Sequence, residues 1–97
     1  MPTYIVLAKF TDQGVRNARN APKLVRDRAA RAAAAGVKAT TYFTLGEYDT
    51  IAVIEAPDEE SFTAAIIAMG MEGNVRTTTL RAFSVEEMER ILARIPG

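Results

Sequence analysis

Residues 42–56 read Tyr-Phe-Thr-Leu-Gly-Glu-Tyr-Asp-Thr-Ile-Ala-Val-Ile-Glu-Ala. Two β-type runs meet in this stretch at Gly46-Glu47, and runs that flank a short glycine-containing break are typical of a β-hairpin. A two-residue turn at 46–47 places Asp49 across from Thr44 in the antiparallel pair. The stretch therefore predicts a hairpin that presents the Tyr48 hydroxyl and the Asp49 carboxylate at the mouth of a sheet.

The sequence on either side of this hairpin predicts two more strands and three main helices. Pro22 fits the first turn of a helix better than its interior, and Gly36 suits the position just after a helix end. Asp58 is a natural N-cap, and Ser84 with Glu87 has the spacing of a capping box. The expected elements are strands at Thr3–Phe10, Val37–Leu45, Tyr48–Ala56 and Asn74–Phe83, a short turn near 13–19, and helices at Ala21–Ala35, from Asp58 towards Gly70 and Gly73, and after Ser84.

The order of these elements is β-α-β-β-α-β followed by a C-terminal helix, which is the ferredoxin-like arrangement of the α+β class. It predicts one antiparallel four-stranded sheet, with the spatial order 4-1-3-2, that carries its main helices on one face. Because the chain has 97 residues, we expect a single domain over residues 1–97.

The second face of the predicted sheet is also apolar. The first strand has Tyr4 and Val6 on one side and Ile5 and Leu7 on the other, and the third strand is apolar on both sides as well. Soluble monomers rarely expose a contiguous apolar patch of several hundred Å². The simplest way to cover this face is a twofold partner that packs sheet to sheet, so the pattern predicts a homodimer.

The composition excludes several kinds of function. The chain has no cysteine and no histidine, so disulfides, thiolate or imidazole metal ligands, thiol nucleophiles and an imidazole base are ruled out. We therefore expect no metal and no cofactor. No apolar run approaches the roughly 20 residues that span a bilayer, and the N-terminus lacks the basic region of a signal peptide. A cytoplasmic protein without a membrane partner is expected.

The distribution of charge gives no case for a nucleic-acid partner. Twelve basic residues balance twelve acidic ones, and the predicted third strand lacks the stacking aromatics of an RNA-recognition domain. Residues 9–38 are basic, with only Asp12 and Asp27 as acidic members. Such a segment is more often a solvated face or one half of a charge-complementary subunit contact.

The candidate site lies where the predicted strands bring polar side chains together. Strand pairing puts Lys9, Asp49 and Arg76 at one rim of the sheet, with Tyr42 on the same face as Asp49. Asp49 is a candidate base in an anion-binding or enol-stabilising cluster, in which Arg76 stabilises the anion. The alternative is a purely structural Asp49 paired with a lysine or arginine, with Tyr48 packed on the core. Glu55 shares the strand parity of Asp49 and is the second candidate base.

The chain resembles the GYD-domain family, which is named for the Gly-x-Tyr-Asp pattern present here as Gly46, Tyr48 and Asp49. The other segments that carry the resemblance are Thr3-Tyr4-Ile5-Val6-Leu7, Thr44-Leu45-Gly46, Glu55-Ala56-Pro57, Gly73-Asn74-Val75-Arg76-Thr77 and Thr79-Leu80-Arg81-Ala82-Phe83. The resemblance implies the dimeric α/β-barrel class. That class includes haem-dependent enzymes, cofactor-free monooxygenases, lactone isomerases and regulatory ligand-binding domains, so the fold does not select a function.

Three functions remain open on the sequence. The first is a homodimer that binds a small, partly apolar molecule in a barrel cavity between the paired sheets, with Lys9, Tyr42, Tyr48 and Arg76 as ligand-binding residues. The second is a cofactor-independent isomerase, tautomerase or monooxygenase, with Asp49 or Glu55 as the catalytic base. The third is a structural or interaction module. A catalytic N-terminal Pro2, of the kind that tautomerases use, fits the rest of the pattern less well.

Overall fold

The computed structural model describes residues 1–97 and contains four strands and four α-helices. In chain order they are β1 (Thr3–Phe10), α1 (Asp12–Arg16), a 3-10 turn (Ala18–Asn20), α2 (Ala21–Ala34), β2 (Lys38–Phe43), β3 (Thr50–Glu55), α3 (Glu59–Glu72), β4 (Val75–Ala82) and α4 (Val85–Leu92). The predicted order of the main elements is confirmed. Residues near 13–19 form α1 and most of the 3-10 turn rather than a simple turn.

The four strands form one antiparallel sheet in the order β2-β3-β1-β4. This is the predicted order 4-1-3-2 read from the other edge, so the ferredoxin-like topology is confirmed. Within the sheet Tyr4 lies between Ile54 of β3 and Arg81 of β4. The two central strands, β1 and β3, are therefore the ones that must be covered on both faces.

The link between β2 and β3 differs from the predicted two-residue turn. The predicted pairing of Thr44 with Asp49 is present, because the Thr44 N–H donates to the Asp49 carbonyl at 2.9 Å. However, the regular strands end at Phe43 and begin again at Thr50. A tight type I′ turn needs positive φ at both central residues, and Gly46 adopts it (φ +116°) whereas no non-glycine residue in the chain does. The turn is therefore wider, and Leu45 is fully exposed.

The helix ends follow the capping signals of the sequence. The Ser61 N–H donates to Asp58 Oδ1 at 2.7 Å at the start of α3, and Gly73 ends that helix with φ +81°. At the start of α4 the Glu87 N–H donates to Ser84 Oγ at 3.0 Å, and the Ser84 N–H donates to Glu87 Oε1 at 2.9 Å. The predicted N-cap, C-terminal glycine and capping box are confirmed.

The N-cap of α3 predicts a specific loss of stability in acid. The hydrogen bond from the Ser61 N–H lowers the pKa of the Asp58 carboxyl below its ordinary value of 3.8. A carboxyl whose pKa is depressed in the folded state stabilises the protein above its unfolded pKa, and this contribution is lost as the pH falls through the folded value. Urea unfolding of wild type and Asp58→Asn, from about pH 5 towards pH 2, should therefore show a stability difference that shrinks in acid. A difference that does not change with pH would contradict this account.

Helix α1 is held close to the start of β4 by a glycine. A Cβ atom at Gly14 would lie 1.9 Å from the Asn74 carbonyl oxygen, so only glycine fits there. Thr11 also bonds to the residues that precede β4. Its N–H donates to the Asn74 carbonyl at 3.0 Å, and its Oγ1 donates to the Gly73 carbonyl at 2.6 Å. These contacts fix the end of β1 beside the beginning of β4, where Lys9 and Arg76 lie.

The hydrophobic core lies on the helix side of the sheet and is small. Its centre consists of Tyr4, Val6, Ala56 and Phe62, and the Tyr4 and Phe62 rings stack with centroids 3.8 Å apart. Only seven of the 97 residues are buried. The chain exposes 6851 Å², whereas a compact monomer of 10.6 kDa exposes about 5,500 Å². The excess of roughly 1,400 Å² is apolar to an unusual degree, because fifteen large hydrophobic side chains are exposed.

Helix α4 extends away from the sheet and accounts for part of this excess. No other helix or strand packs extensively against it. The radius of gyration is 15.1 Å, against about 12.5 Å for a compact domain of this length. The exposed apolar side chains of α4 are those of Val85, Met88, Ile91 and Leu92, and the exposed Ile95 follows the helix. The helix therefore presents an amphipathic stripe without a partner in this chain.

Candidate functional site

The face of the sheet that carries no helix has an apolar patch centred on β1 and β3, with threonines and charged residues such as Thr40, Thr78 and Arg76 on the edge strands. Because side chains alternate along a strand and Tyr4, Val6 and Ala8 are buried on the helix side, the intervening residues face the other way. Their apolar members, which we call the open face, are Ile5, Leu7, Tyr42, Ile51, Val53 and Leu80. Val53 and Leu80 remain 39% and 47% exposed although they lie in the middle of strands.

Asp49 is engaged in strand pairing at the rim of this face. Its N–H donates to the Ala8 carbonyl at 2.8 Å, and its Oδ2 accepts a hydrogen bond of 2.7 Å from the Phe10 N–H. The Asp49 carboxylate thus accepts the Phe10 N–H of β1 at a position just before β3 begins. This arrangement matches the structural alternative for Asp49, although its partner is a backbone amide and not the lysine or arginine expected.

The contact of Asp49 with Phe10 predicts a loss of stability on truncation. A hydrogen bond to a charged group contributes about 1.5–3 kcal/mol, so Asp49→Ala should lower the free energy of unfolding by about that amount. Asp49→Asn keeps an acceptor oxygen and should cost less. Urea denaturation of the three proteins measures both values. If Asp49→Ala is as stable as wild type, the carboxylate is not needed for strand pairing and is free for chemistry.

Lys9 and Tyr48 lie beside each other at the same rim. Lys9 Nζ is 5.2 Å from the centroid of the Tyr48 ring, which is cation–π geometry, and 3.6 Å from Glu47 Oε1. The Lys9 and Glu47 side chains are both well exposed, so the ion pair adds little stability. The structure thus brings Lys9, Tyr48 and Asp49 together, as the sequence predicts.

Arg76 lies directly opposite Lys9 in the β1–β4 pair. Its Nη1 donates to the Val75 carbonyl at 2.9 Å and to the Gly70 carbonyl at 3.4 Å; the Gly70 carbonyl also accepts the Gly73 N–H at the end of α3. Arg76 forms no ion pair. Tyr42 lies on β2 opposite Ile51 and is 61% exposed. Tyr42 belongs to the open face and Arg76 lies at its edge, and neither forms a hydrogen bond or an ion pair with Asp49.

Glu55 lies at the other end of the sheet. It pairs in register with Thr3 and Lys38, and its Oε2 is 3.9 Å from Lys38 Nζ. Six residues of extended chain separate it from Asp49, which corresponds to about 20 Å. The two carboxylates proposed as bases therefore cannot act on one bound molecule.

A cavity of about 320 Å³ lies between the helices and the sheet, on the face opposite to the open face. We call it the helix–sheet cavity. Its walls contain many alanines, and those contributed by the strands and by the two long helices are Ala8, Ala21, Ala29, Ala32, Ala39, Ala52, Ala65 and Ala68. The volume falls at the lower end of the range for ligand sites, about 300–1,000 Å³.

This cavity was not predicted from the sequence, and none of the six predicted site residues lines it. The signal that indicates it is the alanine content of α2. Small side chains facing small side chains across a layer leave space. In the polar part of the lining, Arg28 Nη2 donates to Glu72 Oε2 and joins α2 to α3, whereas Arg31 forms no ion pair.

No group of acidic side chains is arranged to hold a metal ion. None of the helices is long and apolar enough to cross a membrane.

The fold, the open face and the exposed stripe of α4 define a small ferredoxin-like α+β protein in which one face of the sheet is uncovered. Residues 4–92 match the GYD domain, and the chain belongs to the GYD-domain family, as the hairpin pattern indicated. A curated relative from Thermus thermophilus, named "Glutamine synthetase and cystathionine beta-lyase binding protein", is 33% identical over 96 residues. The match covers 91% of this chain and 95% of the relative. No solved structure matches the chain significantly.

Proposed function

We propose that this protein is a homodimeric, cytoplasmic binding module whose partner is another protein, namely an enzyme that acts on amino acids. The observation that carries the proposal is the pair of unpartnered apolar surfaces, the open face and the stripe of α4. The name of the Thermus relative supports the choice of partner, since both of the proteins that it names are enzymes of that kind.

The open face is assigned to a second copy of the chain. A twofold axis brings identical patches together, so one self-complementary apolar sheet is enough to form the contact. The chain exposes roughly 1,400 Å² more than a compact monomer of its mass, and a standard interface buries about 800 Å² on each partner. Such a contact would cover Tyr42, Val53 and Leu80, which are three of the exposed large hydrophobic side chains.

The stripe of α4 is assigned to the partner enzyme. An amphipathic helix that stands clear of its own domain can lay its apolar side chains into a groove of another protein. The stripe has the spacing this requires, with Met88, Ile91 and Leu92 at helical intervals and Ile95 just beyond the helix.

Biolayer interferometry with purified glutamine synthetase and cystathionine beta-lyase of the same organism tests this function. We expect binding to at least one enzyme, and Leu92→Glu should weaken it by about tenfold or more, because a charge would enter an apolar contact. Leu45→Glu is the matched control, since it changes another exposed leucine, and it should bind as wild type does. Absence of binding to both enzymes, or equal loss in the two variants, would contradict the proposal.

A small-molecule ligand is a second candidate function, and the helix–sheet cavity is the observation that favours it. A ligand held between paired sheets would instead contact Lys9, Tyr42, Tyr48 and Arg76 along the open face. Cofactor-independent catalysis by Asp49 or Glu55 stays a prediction of the sequence. Catalysis has less support, because Asp49 already accepts the Phe10 N–H. Glu55 in addition lies about 20 Å from Asp49.

A further inference from the structure

We propose that the helix–sheet cavity binds a small carboxylic acid with an apolar body, and that the Arg31 guanidinium at its edge receives the carboxylate. The cavity is a site separate from the open face and from α4. It lies on the opposite side of the sheet, so this inference does not depend on the proposed protein partner.

The position of the helices explains why the cavity exists. Helix α2 packs mainly on β2 and α3 mainly on β4, which are the two edge strands. The two helices do not pack extensively on each other. A gap therefore remains above the central strands, where Val6, Ala52 and Ile54 form the floor.

The shape of this gap is suited to an apolar body. Nineteen of the 25 lining residues are hydrophobic, and the alanines on both walls keep the space open. Ala32 of α2 and Ala52 of β3 are half-buried members of this lining. An alkyl or alicyclic group would replace contacts that the small side chains cannot make with one another.

The charges at the edge favour an acid over a neutral compound. Three charged residues, Arg28, Arg31 and Glu72, line the cavity, and Arg31 is exposed. Arg28 and Glu72 neutralise each other in an ion pair. Arg31 forms no ion pair, although its charge acts on Asp27 one helical turn away. Because a guanidinium presents a planar fork that matches a carboxylate, Arg31 is the natural anion-binding group.

Isothermal titration calorimetry with octanoate and with octan-1-ol tests the assignment on the whole chain. The two probes share the apolar tail and differ in the head group. We expect octanoate to bind more tightly, and Arg31→Gln should weaken octanoate by about tenfold while leaving octan-1-ol unchanged. Arg26→Gln is the matched control, because Arg26 lies on the same helix, also near Asp27, but does not line the cavity.

A second pair of variants tests the location of the tail. Ala32→Leu fills the cavity and should abolish binding of both probes, whereas Ala33→Leu makes the same change on the outer side of α2 and should not. If Ala32→Leu fails to fold, amide shift changes of the wild-type protein with octanoate should instead fall on the cavity walls at Ala8, Ala52 and Ala65. The proposal is overturned if neither probe binds, if shifts fall on the open face, or if Arg31→Gln and Arg26→Gln bind octanoate equally.

Discussion

Replacing Val53 with aspartate is expected to dissociate the proposed dimer into monomers. Val53 lies in the middle of β3 on the open face, with Ile5 opposite in β1 and Thr40 opposite in β2. An uncompensated charge inside an apolar contact costs about 3–5 kcal/mol. A twofold interface contains the substitution twice, so the dissociation constant should rise by more than about 10⁴-fold.

Sedimentation velocity over a range of concentrations measures this change. The matched control is Val15→Asp, which alters a valine that is 60% exposed on α1 and away from the open face. It should remain dimeric. Circular dichroism shows whether the Val53→Asp monomer keeps its sheet. If it does not, Leu80→Lys on the edge strand β4 tests the same interface independently. A wild-type-like dimer in both open-face variants would rule out this interface.

Replacing Phe62 with alanine is expected to remove most of the stability of the chain. Phe62 is 6% exposed, and its ring stacks on Tyr4 with an interplanar angle of 7°. Truncation of a buried phenylalanine costs about 3–5 kcal/mol, whereas a domain of this size has roughly 5–15 kcal/mol in total. Since few other side chains are buried, the remaining core cannot compensate.

Differential scanning calorimetry should show a fall in Tm of about 15–30 °C for Phe62→Ala. Ile67→Ala is the matched control, because Ile67 is on the same helix and 58% exposed, and it should shift the Tm by only a few degrees. Equal shifts for the two variants would mean that the core is centred elsewhere.

The topology was predictable because it depends on signals of short range. The caps at Asp58 and Ser84, Pro22 in the first turn of α2 and the β-type run of β1 are each set by local backbone chemistry. Together they leave few ways to join the strands. The width of the β2–β3 turn was not predictable from the register alone, because it depends on the φ value that Glu47 can adopt.

The candidate site was predictable in position but not in contacts. The backbone register alone places Lys9, Asp49 and Arg76 at one rim, regardless of the contacts that their side chains form. The hydrogen bond from the Phe10 N–H to Asp49 depends on how far β1 runs past β3, which no local pattern reports. The helix–sheet cavity depends on where α2 and α3 lie over the sheet, a consequence of packing between elements distant in sequence.

Intermolecular NOEs show whether the open face joins two copies of the chain. A sample mixed from isotope-labelled and unlabelled protein reports only contacts between different molecules. We expect intermolecular NOEs among the methyl groups of Ile5, Val53 and Leu80. The absence of intermolecular NOEs, or their restriction to methyl groups on the helix side such as those of Leu24 and Val25, would contradict this expectation.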